Sequence, residues 1–198
     1  MVRPGPRIRE ATWVESHEQK DAARALEMLH VQLISAVIDP YSWKWVIVSA
    51  HHAVQAFVVA SLSGGGETTS GVPEGSKRWL TLHYRPPNRY AEQRQDYLPE
   101  LYECVKRATG FRVPGPVDEA VARLVECRNA FIQCIPARWS LNVSELPRTV
   151  RDCLKVVEYL GWNPGHITWQ SESLTDLARV KYLASMKILD ALEDQYKA

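Results

Sequence analysis

Close cysteine pairs are missing from this sequence. Cys104, Cys127, Cys134 and Cys153 are its four cysteines, and no two stand at C-x-x-C spacing. That excludes a disulfide scaffold or a zinc ribbon and fits a reduced compartment, so a cytoplasmic location is the expectation. Strong charge of either sign is missing too. The net charge of +1 over 198 residues excludes a polyanion specialist and a disordered chain. No G-x-x-x-x-G-K-[ST], G-x-G-x-x-G, G-x-S-x-G or H-E-x-x-H occurs, which removes the common phosphate-loop, dinucleotide, hydrolase and zinc-protease sites. The opening MVRPGPRIRE has no apolar run and does not read as a leader. The most hydrophobic run, residues 46–62, is short for a membrane span and is interrupted by His51, His52 and Gln55. It reads as a buried core helix, and no membrane partner is expected. Adjacent histidines on a helix point about 100° apart, so His51 and His52 make a poor chelate, and no metal or cofactor is expected. The carboxylates Glu193 and Asp194 read as a solvated pair on the polar side of the last helix.

What the sequence does have is helical periodicity and enough apolar residues, 45%, to build a core. Residues 1–12, with Pro4, Gly5, Pro6 and three arginines, read as a loose N-terminal arm. Residues 13–198 read as one helical domain interrupted by an insertion at about 63–92. A first helix is expected over 14–38, with Ala22, Ala25, Leu26, Leu29, Leu33, Ala36 and Val37 on its apolar face and a capping box from Ser16 to Gln19. Asp39-Pro40 ends it. The second helix, to about residue 62, is apolar nearly all round and should be central. A Gly- and Ser-rich loop is expected at 63–76, then a strand-like alternation at 79–84. Basic residues at 77–94 interleave with Trp79, Tyr84 and Tyr90, a pattern that suits either stacked bases on a phosphate backbone or a solvated loop. Further helices are expected at 93–108, ended by Gly110, from Val117 onward, and from Pro147 to about 160, capped by Ser140 or Ser144. A break at 161–165 precedes a last helix opened by Ser171 or Ser173. Its apolar positions include Leu174, Leu177, Val180, Leu183, Met186, Ile188 and Leu189. The class is all-α, a bundle of five or six helices.

The chain turns on residues 126–147, ECRNAFIQCIPARWSLNVSELP. An apolar stripe runs through Val117, Val121, Leu124, Val125, Phe131, Ile132 and Ile135, and Arg128 falls inside it. A charge on a buried face costs several kcal/mol unless paired. Arg128 therefore has an ion-pair partner, sends its head to water along a buried stem, or faces a cleft or second subunit. Glu126, Asn129 and Gln133 form a neighbouring polar stripe, and Pro136 should end the helix near Ile135. Trp139 reads as a plug for the end of the bundle. Cys127 and Cys134 lie two turns apart, a spacing that fits packing better than redox chemistry.

An Arg-Asn pair followed by Phe-Ile, a proline and Trp-Ser resembles the HEPN superfamily, especially a bacterial group with this pattern. The resemblance is clearest over 120–162. It implies a helical bundle, often dimeric, in which an arginine and a following histidine cleave RNA without metal. Arg128 and Asn129 match the first two positions of that motif, but the place five residues after Arg128 is Gln133. Glutamine does not titrate near neutrality and cannot do a histidine's acid–base work.

The residues support three readings. In the first, a catalytically degenerate HEPN-like domain binds RNA or a nucleotide through Arg128, with Asn129 and Gln133 as polar partners and a two-fold dimer bringing two motifs together. In the second, the domain is a non-catalytic scaffold or protein-interaction module. In the third, a displaced histidine, His51 or His52, restores metal-independent cleavage. That pair reads equally as satisfied polar groups in the core.

Overall fold

The computed structural model describes residues 16–63, 97–112, 115–132, 140–163 and 166–197. Through them run six α-helices: α1 (Glu18–Ile38), α2 (Trp43–Ser63), α3 (Leu98–Thr109), α4 (Val117–Ile132), α5 (Leu146–Trp162) and α6 (Glu172–Lys197). A 3-10 turn, Pro40–Ser42, joins the first two. No strand occurs among the described residues, and the all-α expectation holds. The expected N-terminal arm, nearly all of the insertion, the alternation at 79–84, the basic and aromatic run at 77–94, Pro136 and Trp139 lie outside the described residues.

α2 is the centre of the bundle. It packs against α1, α3, α4 and α5, while α6 closes the far side against α1 and α5. The reason is in its composition, which leaves no continuous polar face to point at water. Trp43, Val46, Ile47, Ala50, Ala53, Val54, Phe57 and Val58 are all fully buried on it. The stretch Pro40–Ser63 is long and apolar enough to cross a membrane, and 61% of its most apolar window is enclosed by the rest of the bundle.

Helix ends obey local chemistry, with some departures from expectation. α1 starts at Glu18, and its cap is His17, whose Nδ1 accepts from the Lys20 amide at 3.3 Å. Ser16 is not the cap, because its hydroxyl is bonded to Asp21 instead. Glu18 and Asp21 place negative charge at the positive end of the helix. Pro40 cannot continue α1 and forces Asp39 into an extended conformation, φ −130° and ψ 110°. The Asp39 carboxylate then accepts from the Tyr41 amide at 3.0 Å and starts the next turn. α3 begins after Tyr97, and Gly110 ends it in the left-handed region at φ 66°, as the sequence predicts. α5 is capped by neither Ser140 nor Ser144. The Asn142 side chain takes up the Ser144 amide and hydroxyl in a local turn, and Glu145 precedes the helix without a side-chain cap. Ser171 does open α6, accepting from the Leu174 amide at 3.3 Å.

Gly161 corrects another expectation. It lies inside α5 and does not break it. A Cβ there would stand 2.7 Å from Phe57 Cε1, so glycine lets α5 approach α2 closely. Phe57 in turn meets Trp162 and Trp169 at ring-centroid distances of 6.1 and 5.9 Å. Trp169 is fixed by its indole N–H, which donates to the Gly161 carbonyl at 2.8 Å.

α1 and α6 run parallel. At one end the Gln19 amide donates to the Thr168 carbonyl at 2.6 Å, and its oxygen accepts from the Gln170 amide at 2.7 Å. Midway, Lys181 is an electrostatic neighbour of His30. At the other end the Trp43 indole donates to Tyr196 Oη at 2.9 Å. Glu193 is buried and not solvated as the sequence suggests. It pairs with Lys197 at 2.7 Å and with Arg151 of α5, and the Lys197 hydrogen bond, then the Arg151 charge, hold its carboxyl below the usual range. Its neighbour Asp194 is exposed.

Candidate functional site

The buried line of α4 runs through Val117, Ala120, Val121, Leu124, Cys127 and Phe131. Cys127, three residues after Leu124 and four before Phe131, occupies the buried position that the apolar spacing gives to Arg128. A small thiol fits there, and desolvation pushes its pKa up. Arg128 is displaced by one position to the edge of the stripe and is half-buried. Ile132, read as part of the stripe, is 48% exposed. Arg123 and Glu126 pair at 2.9 Å farther round the helix.

Arg128 and Asn129 are brought together. The Arg128 guanidinium donates to Asn129 Oδ1 at 2.9 Å. That bond fixes the plane of the guanidinium, whose fork of N–H groups matches phosphate or carboxylate oxygens. A guanidinium and a carboxamide offer hydrogen-bond donors to an anion but no acid–base group of the histidine kind. Gln133 lies outside the described residues, as does Cys134.

The histidine pair of α2 divides between two environments. His51 is buried, 3% exposed. His52 is exposed, and Asp21 of α1 is its acidic neighbour. The two rings thus point to different sides of α2, as their adjacency on a helix dictates. Cys104, Cys127 and Cys153 are buried in the core, none of them in a disulfide. Burial pushes the Cys153 thiol far up, so it stays protonated and inert. Among the described residues no group of three or more His, Cys, Asp or Glu side chains is placed to hold a metal ion.

A second feature escapes the sequence reading. Seven large apolar side chains between Met28 and Trp45 stand open to solvent. Ile38 and Tyr41 are 83% and 81% exposed, and Met28, Val31, Ile34, Val37 and Trp45 are about half exposed. Met28, Val31, Ile34 and Ile38 recur at helical spacing and share one outward stripe of α1. Val37, assigned to the core by its periodicity, belongs to this open surface. Val180 and Leu183 of α6, also read as apolar packing positions, are exposed as well. The signal was present in the sequence, since α1 carries more large aliphatics than one buried stripe can use.

No family model, curated protein or solved structure matches this chain.

Proposed function

We propose that this chain is a non-catalytic helical binding domain that works as a pair of identical copies joined through the outer face of α1. The observation that carries this reading is the open apolar surface from Met28 to Trp45. Exposed apolar surface concentrated in one segment marks an interaction site. Its seven side chains expose on the order of 800 Å², about what each partner of a standard interface contributes. Tyr41 and Trp45 are of the type that anchors such contacts. The only charged residues in the stretch are Asp39 and Lys44, one acid and one base, so a two-fold pairing of the patch with itself meets no excess of like charge. Light scattering at micromolar concentration tests the pairing. The native chain should have twice the mass of one copy, and Ile38→Glu should have the mass of one while keeping its helical circular dichroism. A native chain that is monomeric throughout overturns the proposal.

A second reading concerns what the pair binds. The Arg128–Asn129 bond, together with the HEPN-like motif, favours the phosphates of RNA or a nucleotide. Fluorescence anisotropy with single-stranded RNA, without metal, should show binding that Arg128→Ala reduces by about tenfold or more, the scale of a charged hydrogen bond. Equal affinity in both proteins counts against it.

A further inference from the structure

A cleft of about 520 Å³ opens where α3 turns into α4. Its walls include Lys106, Arg107, Phe111, Arg112, Val117 and Asp118. The cleft begins at the first residue of α4, whereas Arg128 lies eleven positions on, about 16 Å along the helix axis. The two sites are therefore separate, and a ligand in the cleft is recognised independently of Arg128.

The charges in the cleft are not equivalent. Asp118 is already engaged, accepting from Tyr102 Oη at 2.7 Å and from Lys106 Nζ at 3.3 Å. Lys106 also pairs with Glu103 at 2.6 Å and sits 4.9 Å from the centre of the Tyr102 ring. Lys106 and Asp118 thus hold each other, and the surplus positive charge comes from two arginines. Arg107, exposed, donates to Cys104 Sγ at 3.4 Å and has no acidic partner among the described residues. Arg112, also exposed, has no acidic partner among the described residues. Two guanidinium groups five positions apart, across the turn at Gly110, converge on one concavity. Beneath them Phe111, itself buried, is packed against Tyr102 and Tyr159 at ring-centroid distances of 6.0 and 4.9 Å and gives the cleft a firm floor.

We propose that this cleft binds a small phosphorylated organic molecule, of nucleoside monophosphate size, through Arg107 and Arg112. The lining dictates the chemistry. Planar guanidinium forks grip phosphate oxygens in pairs, and a cavity of a few hundred cubic ångströms has room for an organic group beside the phosphate. Lys106 and Asp118 of the wall are tied to each other and to Tyr102 beneath them without the ligand, so the site is largely formed before binding.

Isothermal titration calorimetry on the full chain, in low-salt chloride buffer, tests this with two probes, inorganic pyrophosphate and adenosine monophosphate. Both should bind saturably, the nucleotide because the cleft has room for its nucleoside beside the phosphate. Arg107→Gln with Arg112→Gln should weaken both by about tenfold or more, as expected for lost charged hydrogen bonds. Arg179→Gln, an exposed arginine on α6, should change either by less than about twofold. Arg112→Gln alone serves if the double variant melts early, since Arg112 is exposed and lies outside the helices. Absence of saturable nucleotide binding, or equal losses in the Arg179 variant, would each overturn the proposal.

Discussion

α1 and α2 are neighbours of equal length, 21 residues each, yet they meet different surroundings. α2 buries twice as many of its positions as α1 and is enclosed on four sides. α1 fills its inner stripe with alanine and leucine and turns valine, isoleucine and methionine outward. Apart from Trp45 in its first turn, an apolar residue in α2 is a packing residue. An apolar residue in α1 is a packing residue on one side and an exposed one on the other. Hydrophobicity alone does not distinguish them; only the set of neighbours does.

The largest way to break the contrast is to hollow out α2. Phe57→Ala removes a fully buried ring that meets Trp162 and Trp169, and should lower stability by about 3–5 kcal/mol in chemical denaturation. Gly161→Ala overfills the same contact from the α5 side. Its Cβ has no room beside Phe57 and should cost about 1–3 kcal/mol by the same measurement. A loss near zero would mean that α2 is less tightly enclosed than its burial indicates.

The outer layer answers differently, through charge. Glu193 has a depressed pKa, so its contribution is full above the ordinary glutamate value of about 4.3 and is lost as pH falls through the lower folded value. Glu193→Gln should flatten that acid limb in melts followed from pH 7 downward, leaving other carboxylates to set what slope remains. The smallest effect belongs to the open face. Ile38→Glu should shift monomer stability by no more than about 0.5 kcal/mol, because an 83% exposed side chain has little packing to lose. A larger loss measured on the monomeric variant would show that Ile38 belongs to the core.

Much of the architecture was legible. The centrality of α2 follows from its lack of a polar face, and the ends at Asp39-Pro40, Gly110 and Ser171 follow from the backbone preferences of those residues. His17 was not legible as a cap, because imidazole is an uncommon one and Ser16 beside it fits the usual pattern better. Glu193 looked solvated because the pairing that buries it comes from Arg151 of α5, far away in sequence. In the candidate site the Arg128–Asn129 bond joins adjacent residues and could be anticipated. That the buried line would take Cys127 and spare Arg128 could not, since either phase fits the spacing. The cleft at α3 and α4 leaves no motif, being assembled by a turn from residues that look like ordinary surface cations.

The clamp made by Gln19 sets an order of events. One side chain near the start of α1 holds the carbonyl of Thr168, 149 positions later. Such a contact contributes nothing until the intervening chain has been gathered, so loop closure must be overcome first. Helices α2 to α5 can assemble through their own contacts, whereas α1 finds its second neighbour only when α6 arrives. During synthesis the outward stripe of α1 and the side destined for α6 are bare at the same time, and this is the interval in which the chain is most prone to associate wrongly.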